Sequence, residues 1–173
     1  MTPINTADEL LKRIKYIHYS AYKLCKQSFN HYFPNPGNIG VFCHFDNEYE
    51  FLVKLRTQLT EASSEPNRKY FRLHEPIIFP ANRDAPEVAY TYLYIRKPDP
   101  TPYGQYLGDV DFYTEDAQYN ELIKQVEKQE IPGVSLYEQP GVGTMVQLAS
   151  PDIDIVAYVS TREKTQKVRF RYN

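Results

Sequence analysis

The chain has 173 residues, of which 42% are hydrophobic, 14% aromatic and 24% charged, and its formal net charge is -2. This length allows one domain or two small halves that share a core, and the hydrophobic content argues against intrinsic disorder. A nearly balanced charge argues against nucleic acid as the main ligand, because phosphate neutralisation dominates that kind of binding. The unusual feature is tyrosine, with 16 Tyr, 9 Phe and no Trp.

The sequence offers no sign of a membrane or secretory address. No apolar run approaches the roughly 18 residues that span a bilayer, and the first residues, MTPINTADELLKRIK, lack an apolar signal core. Cys25 and Cys43 have no metal-binding spacing and are interpreted as reduced, buried thiols. We therefore expect a cytoplasmic protein with no membrane partner.

The first predicted element is a long helix. Thr6 and Glu9, three residues apart, form a capping box that marks its beginning. Apolar or small side chains then recur at steps of four and three on one helical face: Leu10, Ile14, Ile17, Ala21, Leu24 and Ser28. The pattern fades near Phe33. Residues 1–36 are interpreted as a helical extension packed on the domain, with a dimerisation helix of a homodimer as the alternative.

A first module is predicted over residues 37–97. Residues 38–45 alternate with a period of two, which is typical of a strand. Asp46 is predicted to cap an amphipathic helix, after which a strand is expected around residues 70–75. A longer alternating strand is expected from Val88 to Arg96.

A Pro-rich connector, residues 98–107, separates this module from a second one at 108–161. The second module repeats the order of elements, with a strand, a helix capped by Asp116 and further strands. Residues 162–173 carry five basic side chains and are interpreted as a basic tail, usually a solvated face.

The two modules can be overlaid on each other. Five residues of the first predicted helix match five of the second at a constant spacing of 70, and the preceding strands match as NIGVF against DVDFY at a spacing of 71. The helix pairs are Asp46/Asp116, Tyr49/Tyr119, Leu52/Leu122, Val53/Ile123 and Lys54/Lys124. This pattern indicates an internal duplication.

Three short motifs add a family resemblance. They are FRLHEP at 71–76, YIRKPDP at 94–100 and YLGDVDF at 106–112. Together with the duplicated order of elements, they resemble the vicinal-oxygen-chelate superfamily of glyoxalases and extradiol dioxygenases, and within it the YecM-like metal-binding proteins. The resemblance implies an α+β fold in which two βαβββ-type modules form an incomplete barrel around a cavity, preceded here by the long N-terminal helix.

The resemblance also implies a divalent metal held by His and Glu at four strand positions. This chain places Asn38, Arg96, Asp109 and Tyr158 there. One amide, one carboxylate and one phenol suit Zn²⁺, Fe²⁺ or Ni²⁺ poorly, and a guanidinium repels a cation. We therefore expect no family-type metal. If a metal is bound, the candidate ligands are His44, His74, Glu75 and Asp109, with Asp111 beside them.

Strand alternation supplies a candidate ligand-binding set without the resemblance. The side chains predicted opposite the apolar faces are rich in tyrosine and include a few charges, a composition typical of small-molecule sites. They are Asn38, Tyr90, Tyr92, Tyr94, Arg96, Asp109, Asp111 and Tyr158. Arg96 is suited to pairing with a carboxylate or phosphate, although an ion pair with Asp109 is the alternative.

The sequence thus predicts a small-molecule binding protein whose ligand is anionic or aromatic and whose metal site is degenerate. Two alternatives stay open, namely a metal-dependent lyase, isomerase or dioxygenase of this fold, and a protein-interaction module that uses the N-terminal helix. Whether any reaction is catalysed is not predicted, since neither a GxSxG motif nor a Gly-rich phosphate loop occurs.

Overall fold

The amphipathic N-terminal pattern produces helix α1, Ala7–Phe29. The computed structural model describes residues 2–172, so Met1 and Asn173, the ends of the first and last predicted segments, lie outside the described residues. The predicted capping box is present, since the Thr6 hydroxyl accepts from the Glu9 amide at 3.2 Å and the Glu9 carboxylate accepts from the Thr6 amide at 3.1 Å. The helix ends at Phe29, before the Phe33 at which the sequence pattern fades. Its C-cap residue, Asn30, has a left-handed backbone conformation with φ 57°.

Seven strands and three further helices follow among the described residues. The strands are β1 Asn38–Phe42, β2 Phe71–Phe79, β3 Val88–Arg96, β4 Gly108–Thr114, β5 Val134–Gln139, β6 Gly143–Ser150 and β7 Ile153–Thr161. The helices are α2 Asp46–Leu59, α3 Asp116–Glu127 and α4 Arg162–Lys167, with a single 3-10 turn at Pro102–Gln105. The fold class is therefore α+β, as predicted.

All seven strands form one open sheet in the order β2-β3-β1-β4-β7-β6-β5. The first strands of the two modules, β1 and β4, meet antiparallel at its centre, and each pairs in parallel with the last strand of its own module. The first module is βαββ and only the second is βαβββ, which corrects the expectation of two βαβββ-type modules. Residues 60–70, which follow α2, form no strand of this sheet.

Helices α1, α2 and α3 cover one face of the sheet and enclose the main core. Ile14 and Ile17 of α1 pack in one cluster with Leu52 of α2 and with Val110 and Phe112 of β4. This contact confirms that the apolar stripe of α1 faces the domain. No helix within residues 2–172 has both the length and the apolar character needed to cross a bilayer.

Two buried polar features lie on this helical side. Cys25 and Cys43 are free and buried, as predicted. His18 of α1 is fully buried, with Nδ1 2.9 Å from the hydroxyl of Tyr90. Burial lowers the pKa of His18 to about 4, so its imidazole is neutral at physiological pH.

The predicted caps of α2 and α3 are wrong by one residue. The N-cap positions are Phe45 and Glu115, and neither side chain makes a cap hydrogen bond. Asp46 and Asp116 instead begin the first helical turn, where a carboxylate interacts favourably with the helix dipole. Their matched positions preserve the spacing of 70 between the modules.

The docking of α1 can be tested at Ile17, which is 0% exposed, against Leu11 of the same helix, which is 48% exposed. Ile17→Ala is expected to lower the free energy of unfolding by about 3 kcal/mol, because it leaves a cavity in the core. Leu11→Ala is expected to change it by about 0.5 kcal/mol or less. Urea unfolding followed by far-UV circular dichroism measures both values. Equal losses would contradict the docking face described above.

Candidate functional site

The sheet face opposite α1, α2 and α3 carries the tyrosines and acids of the central strands. We call it the tyrosine face, and its members include Asn38, Phe42, Tyr92, Tyr94, Arg96, Asp109, Asp111 and Tyr158. Their strand neighbours, such as Ile39 and Val110, point into the helix-side core. All predicted ligand-binding residues except Tyr90 thus share one face, while their binding role stays a prediction.

Tyr90 lies on the helical side, so the expectation that it joins Tyr92 and Tyr94 is wrong. The amides of Thr91 and Tyr92 both donate to the carbonyl oxygen of Gly37, at 2.9 Å each, which is the hydrogen-bond pattern of a β-bulge. The extra residue reverses the alternation of side chains. Tyr90 is consequently buried against His18 in the main core.

Two carboxylates of β4 lie at the centre of the tyrosine face. Asp111 accepts a hydrogen bond from the amide of Asn38 at 2.9 Å, and Asp109 accepts one from the hydroxyl of Tyr70 at 3.1 Å. Asp109 and Asp111 are 4% and 3% exposed, so both are shielded from solvent. Gly40 makes room for this arrangement, because a Cβ atom there would approach Oδ1 of Asp109 to 2.0 Å.

Burial dominates the ionisation of these acids. It raises the pKa of Asp109, and together with the charge of Asp109 it raises the pKa of Asp111 to about 7. The ammonium of Lys69 opposes both increases. In return, burial lowers the pKa of Lys69, while the two aspartates act to raise it. The face therefore holds two carboxyl groups in a poorly solvated environment, with the half-buried ammonium of Lys69 near them.

Arg96 and Tyr158 lie on either side of this centre with partners of their own. Arg96 forms an ion pair with Asp99, and not with Asp109 as one alternative had it. The Arg96 guanidinium carbon lies 4.7 Å from the ring centre of Tyr103. The Tyr158 hydroxyl donates to that of Tyr103 at 3.0 Å. Tyr103 thus links the two sides.

The last residues of the chain cover the tyrosine face. We call residues 168–172 the C-terminal arm. The main chain of the arm pairs with the segment before β2, since the amide of Lys69 donates to the carbonyl of Arg169 and the amide of Arg171 to that of Asn67, at 2.8 Å each. The buried side chain of Val168 packs with Tyr158. Side chains of the same chain therefore fill the space where the sequence predicts an open cavity.

Four residues that contact the centre of the tyrosine face were missed by sequence reasoning. Lys69 and Tyr70 follow a polar break, Tyr103 lies in the connector, and Arg169 lies in the segment interpreted as a solvated tail. Each reaches the tyrosine face by a long-range contact, as in the hydrogen bond between Tyr70 and Asp109. The one sign of these contacts in the sequence is that tyrosine and arginine are frequent in its irregular segments.

The four positions at which the resemblance implies metal ligands do not fit a divalent cation in this chain. The amide nitrogen of Asn38 points at Asp111, and its oxygen accepts from Arg169 at 2.9 Å. Arg96 brings a positive charge and Tyr158 a protonated phenol, which leaves Asp109 as the one anionic donor of the four. Transition metals prefer imidazole and thiolate ligands that this set lacks.

The alternative ligand pool does not converge either. His74 and Glu75 are exposed on the edge strand β2, whereas Asp109 is buried at the centre of the sheet. His44 lies two residues after β1, with Nε2 3.4 Å from the carbonyl of Gln105. Within residues 2–172, no three His, Cys, Asp or Glu side chains form a group suited to a metal ion.

An open pocket remains at the rim of the tyrosine face, beside Tyr92. We call it the Tyr92 pocket. Its volume is about 210 Å³, and its lining residues are Glu61, Ala62, Ser63, Arg68, Arg72 and Tyr92. The Arg72 and Tyr92 side chains lie side by side, because these residues are direct partners in the pairing of β2 with β3. This pocket adjoins the arm through Tyr92, whose ring stacks on Arg169.

Comparisons with known proteins give weak likenesses. No family model and no curated protein matches the chain. A structural-genomics structure of a protein designated EC4020 has 14% identity and a TM-score of 0.49, and covers 97% of this chain and 98% of its own. A Streptomyces coelicolor methylmalonyl-CoA epimerase variant with bound 2-nitronate-propionyl-CoA has 18% identity and a TM-score of 0.33. The match covers 76% of this chain and 99% of the epimerase chain. Likenesses this weak show nothing about the activity of this chain.

The burial of Asp111 can be tested by its effect on stability. A folded-state pKa near 7, against an ordinary value of 3.8, makes wild type lose stability as the pH rises from 3.8 to about 7. Asp111→Asn lacks this titration. The free energy of unfolding of the variant minus that of wild type is therefore expected to rise across this window and level off above it.

Urea unfolding of both proteins from about pH 4 to about pH 8 measures this difference. Subtraction removes the opposite contribution of His18, whose lowered pKa reduces stability as the pH falls from 6.5 to about 4. A difference that does not change with pH would show that Asp111 is ionised throughout.

Proposed function

We propose that the protein binds a small anion bearing a flat ring in the Tyr92 pocket, and that its fold is of the vicinal-oxygen-chelate type. The antiparallel meeting of the first strands of two similar modules supports the fold assignment. The pocket supports the binding function, because two guanidinium groups line it beside the single ring of Tyr92. Metal chemistry is not part of the proposal, since the four ligand positions do not fit a cation.

The observation that carries the proposal is the excess of positive charge around Tyr92. Arg68 and Arg72 line the pocket with Glu61 as the acid among the lining residues, and the guanidinium carbon of Arg169 lies 3.7 Å from the Tyr92 ring centre. Burial lowers the pKa of Arg169, and the nearby charge of Arg68 acts in the same direction. An anion in the pocket would offset this repulsion.

The two pocket arginines are positioned for such a ligand. The Nε of Arg68 donates to the Ser63 hydroxyl at 3.1 Å, and its guanidinium lies over Phe170, 4.7 Å from the ring centre. Nε of Arg72 lies 3.7 Å from Oε1 of Glu61 in an exposed ion pair. Exposed pairs of this kind contribute little stability. A carboxylate or phosphate can therefore replace Glu61 as the partner of Arg72 at low cost.

Tyr92 supplies the preference for a ring. Its side chain lines the pocket and is held by the stacked guanidinium of Arg169. A half-buried tyrosine ring offers flat apolar surface to an aromatic ligand and a hydroxyl for orientation. Of the predicted ligand-binding residues, Tyr92 alone lines this pocket. The proposed site thus lies at the rim of the tyrosine face and not at its centre.

The charge requirement can be tested with phenyl phosphate as the probe. Arg68→Ala and Arg72→Ala are each expected to weaken its binding about tenfold, since a charge-assisted hydrogen bond contributes about 1.5–3 kcal/mol. Arg83→Ala is the matched control, because Arg83 also forms an exposed ion pair, with Asp84, outside this pocket. Isothermal titration calorimetry measures the affinities. Absence of binding to wild type, or equal losses in all three variants, would contradict the proposal.

The ring requirement is tested by comparing two probes on one variant. Tyr92→Leu is expected to weaken binding of phenyl phosphate by about fivefold, because ring stacking contributes about 0.5–1.5 kcal/mol. Binding of inorganic phosphate to the same variant is expected to change by less than about twofold. Equal effects on the two probes would show that Tyr92 only supports the pocket wall.

A further inference from the structure

The side-chain amide of Asn38 is fully buried on the tyrosine face, and its orientation is fixed by its neighbours. Its nitrogen donates both hydrogens, to the carboxylate of Asp111 at 2.9 Å and to the carbonyl of Thr165 at 2.8 Å. The amide oxygen must therefore point the other way, because a flipped amide would set its oxygen against two acceptors. Asn38 thus presents a buried acceptor that needs a donor.

That donor is the guanidinium of Arg169, whose hydrogen bonds go to two carbonyl oxygens and whose flat side faces an aromatic ring. Nε donates to the Asn38 oxygen at 2.9 Å, and Nη2 donates to the carbonyl of Pro36 at 3.3 Å. The guanidinium carbon lies 3.7 Å from the centre of the Tyr92 ring. Asp111 lies directly behind Asn38 and interacts electrostatically with the same cation. These partners match the planar, multiply donating shape of a guanidinium.

We propose that Asn38, Pro36 and Tyr92 form a guanidinium-binding site in which the chain's own Arg169 is a tethered ligand. The site selects a planar cation, since its amide and peptide oxygens accept hydrogen bonds in the plane while the tyrosine ring covers the face. The acids behind Asn38 favour a positive charge over a neutral isostere. A free guanidinium compound would enter this site when the side chain of Arg169 is removed.

This inference does not rest on the proposed anion pocket. The two sites share Tyr92 but attract ligands of opposite charge, and the Tyr92 pocket is lined by Arg68 and Arg72, which the guanidinium site does not use. Failure of phenyl phosphate to bind would contradict the anion pocket and would not contradict the guanidinium site. Failure of a guanidinium to bind would likewise leave the anion pocket standing.

The experiment is chemical rescue of the full-length Arg169→Ala variant with methylguanidinium. The variant is expected to unfold at a lower Tm than wild type, and about 20 mM methylguanidinium is expected to raise its Tm by about 3 °C. Wild type is expected to gain nothing, because Arg169 occupies the site. Methylurea at the same concentration is the neutral isostere and is expected to have no stabilising effect.

Arg171→Ala is the matched control, since Arg171 is an exposed arginine of the same arm. Its Tm is expected not to respond to methylguanidinium. Tyr92→Leu added to Arg169→Ala is expected to abolish the rescue, which locates the ligand against the ring. If Arg169→Ala is insoluble, Arg169→Ser, whose short side chain also leaves the site empty, is titrated in the same way. Rescue by methylurea, equal responses of the Arg169 and Arg171 variants, or no rescue of a folded Arg169 variant would overturn the proposal.

Discussion

Two neighbouring carboxylates on one face of a central strand impose the main constraint on this structure. Asp109 and Asp111 are both buried, and two buried acids require hydrogen-bond donors and positive charge close by. The chain supplies the donors from Tyr70 and Asn38, and the charge from Lys69 and Arg169. The segment before β2 and the C-terminal arm cross the tyrosine face, and they carry Lys69, Tyr70 and Arg169.

The same constraint explains why this face is closed. The C-terminal arm and the segment before β2 are joined by main-chain hydrogen bonds. The two stretches that carry the cations therefore also form the cover. A cover held in this way shields the acids from water and strengthens their interaction with the cations. An opening is then left at the rim, where Arg68, Arg72 and Tyr92 line a pocket.

The cations near these acids also bear on the four positions at which the resembled family carries metal ligands. A divalent ion and a guanidinium satisfy the same electrostatic demand by different geometries, because an ion needs several anionic or imidazole donors whereas a guanidinium needs acceptors in its plane. Asn38 is a poor ligand for the ion and a good acceptor for the guanidinium. The chain thus places its own Arg169 beside the acids of the tyrosine face.

Local patterns predicted most of the secondary structure because they depend on nearby residues. The capping box of α1, the bounds of β3 and the matched positions of α2 and α3 all followed from spacing along the chain. The predictions were wrong where one residue more or less changes which way a side chain points or where a helix begins. The bulge at Thr91 moved Tyr90 to the other face, and the main-chain geometry at Phe45 and Glu115 moved two caps by one position.

The sequence by itself determined that strands of an α+β protein would carry a face rich in tyrosine and acids, since alternation is a local property of extended chain. Only the tertiary structure decided that this face is filled, because the filling groups come from segments distant along the chain. Arg169 lies 131 positions from Asn38, and Tyr70 lies 39 positions from Asp109. Such contacts depend on where loops and termini cross the sheet, and no periodicity in the sequence records that.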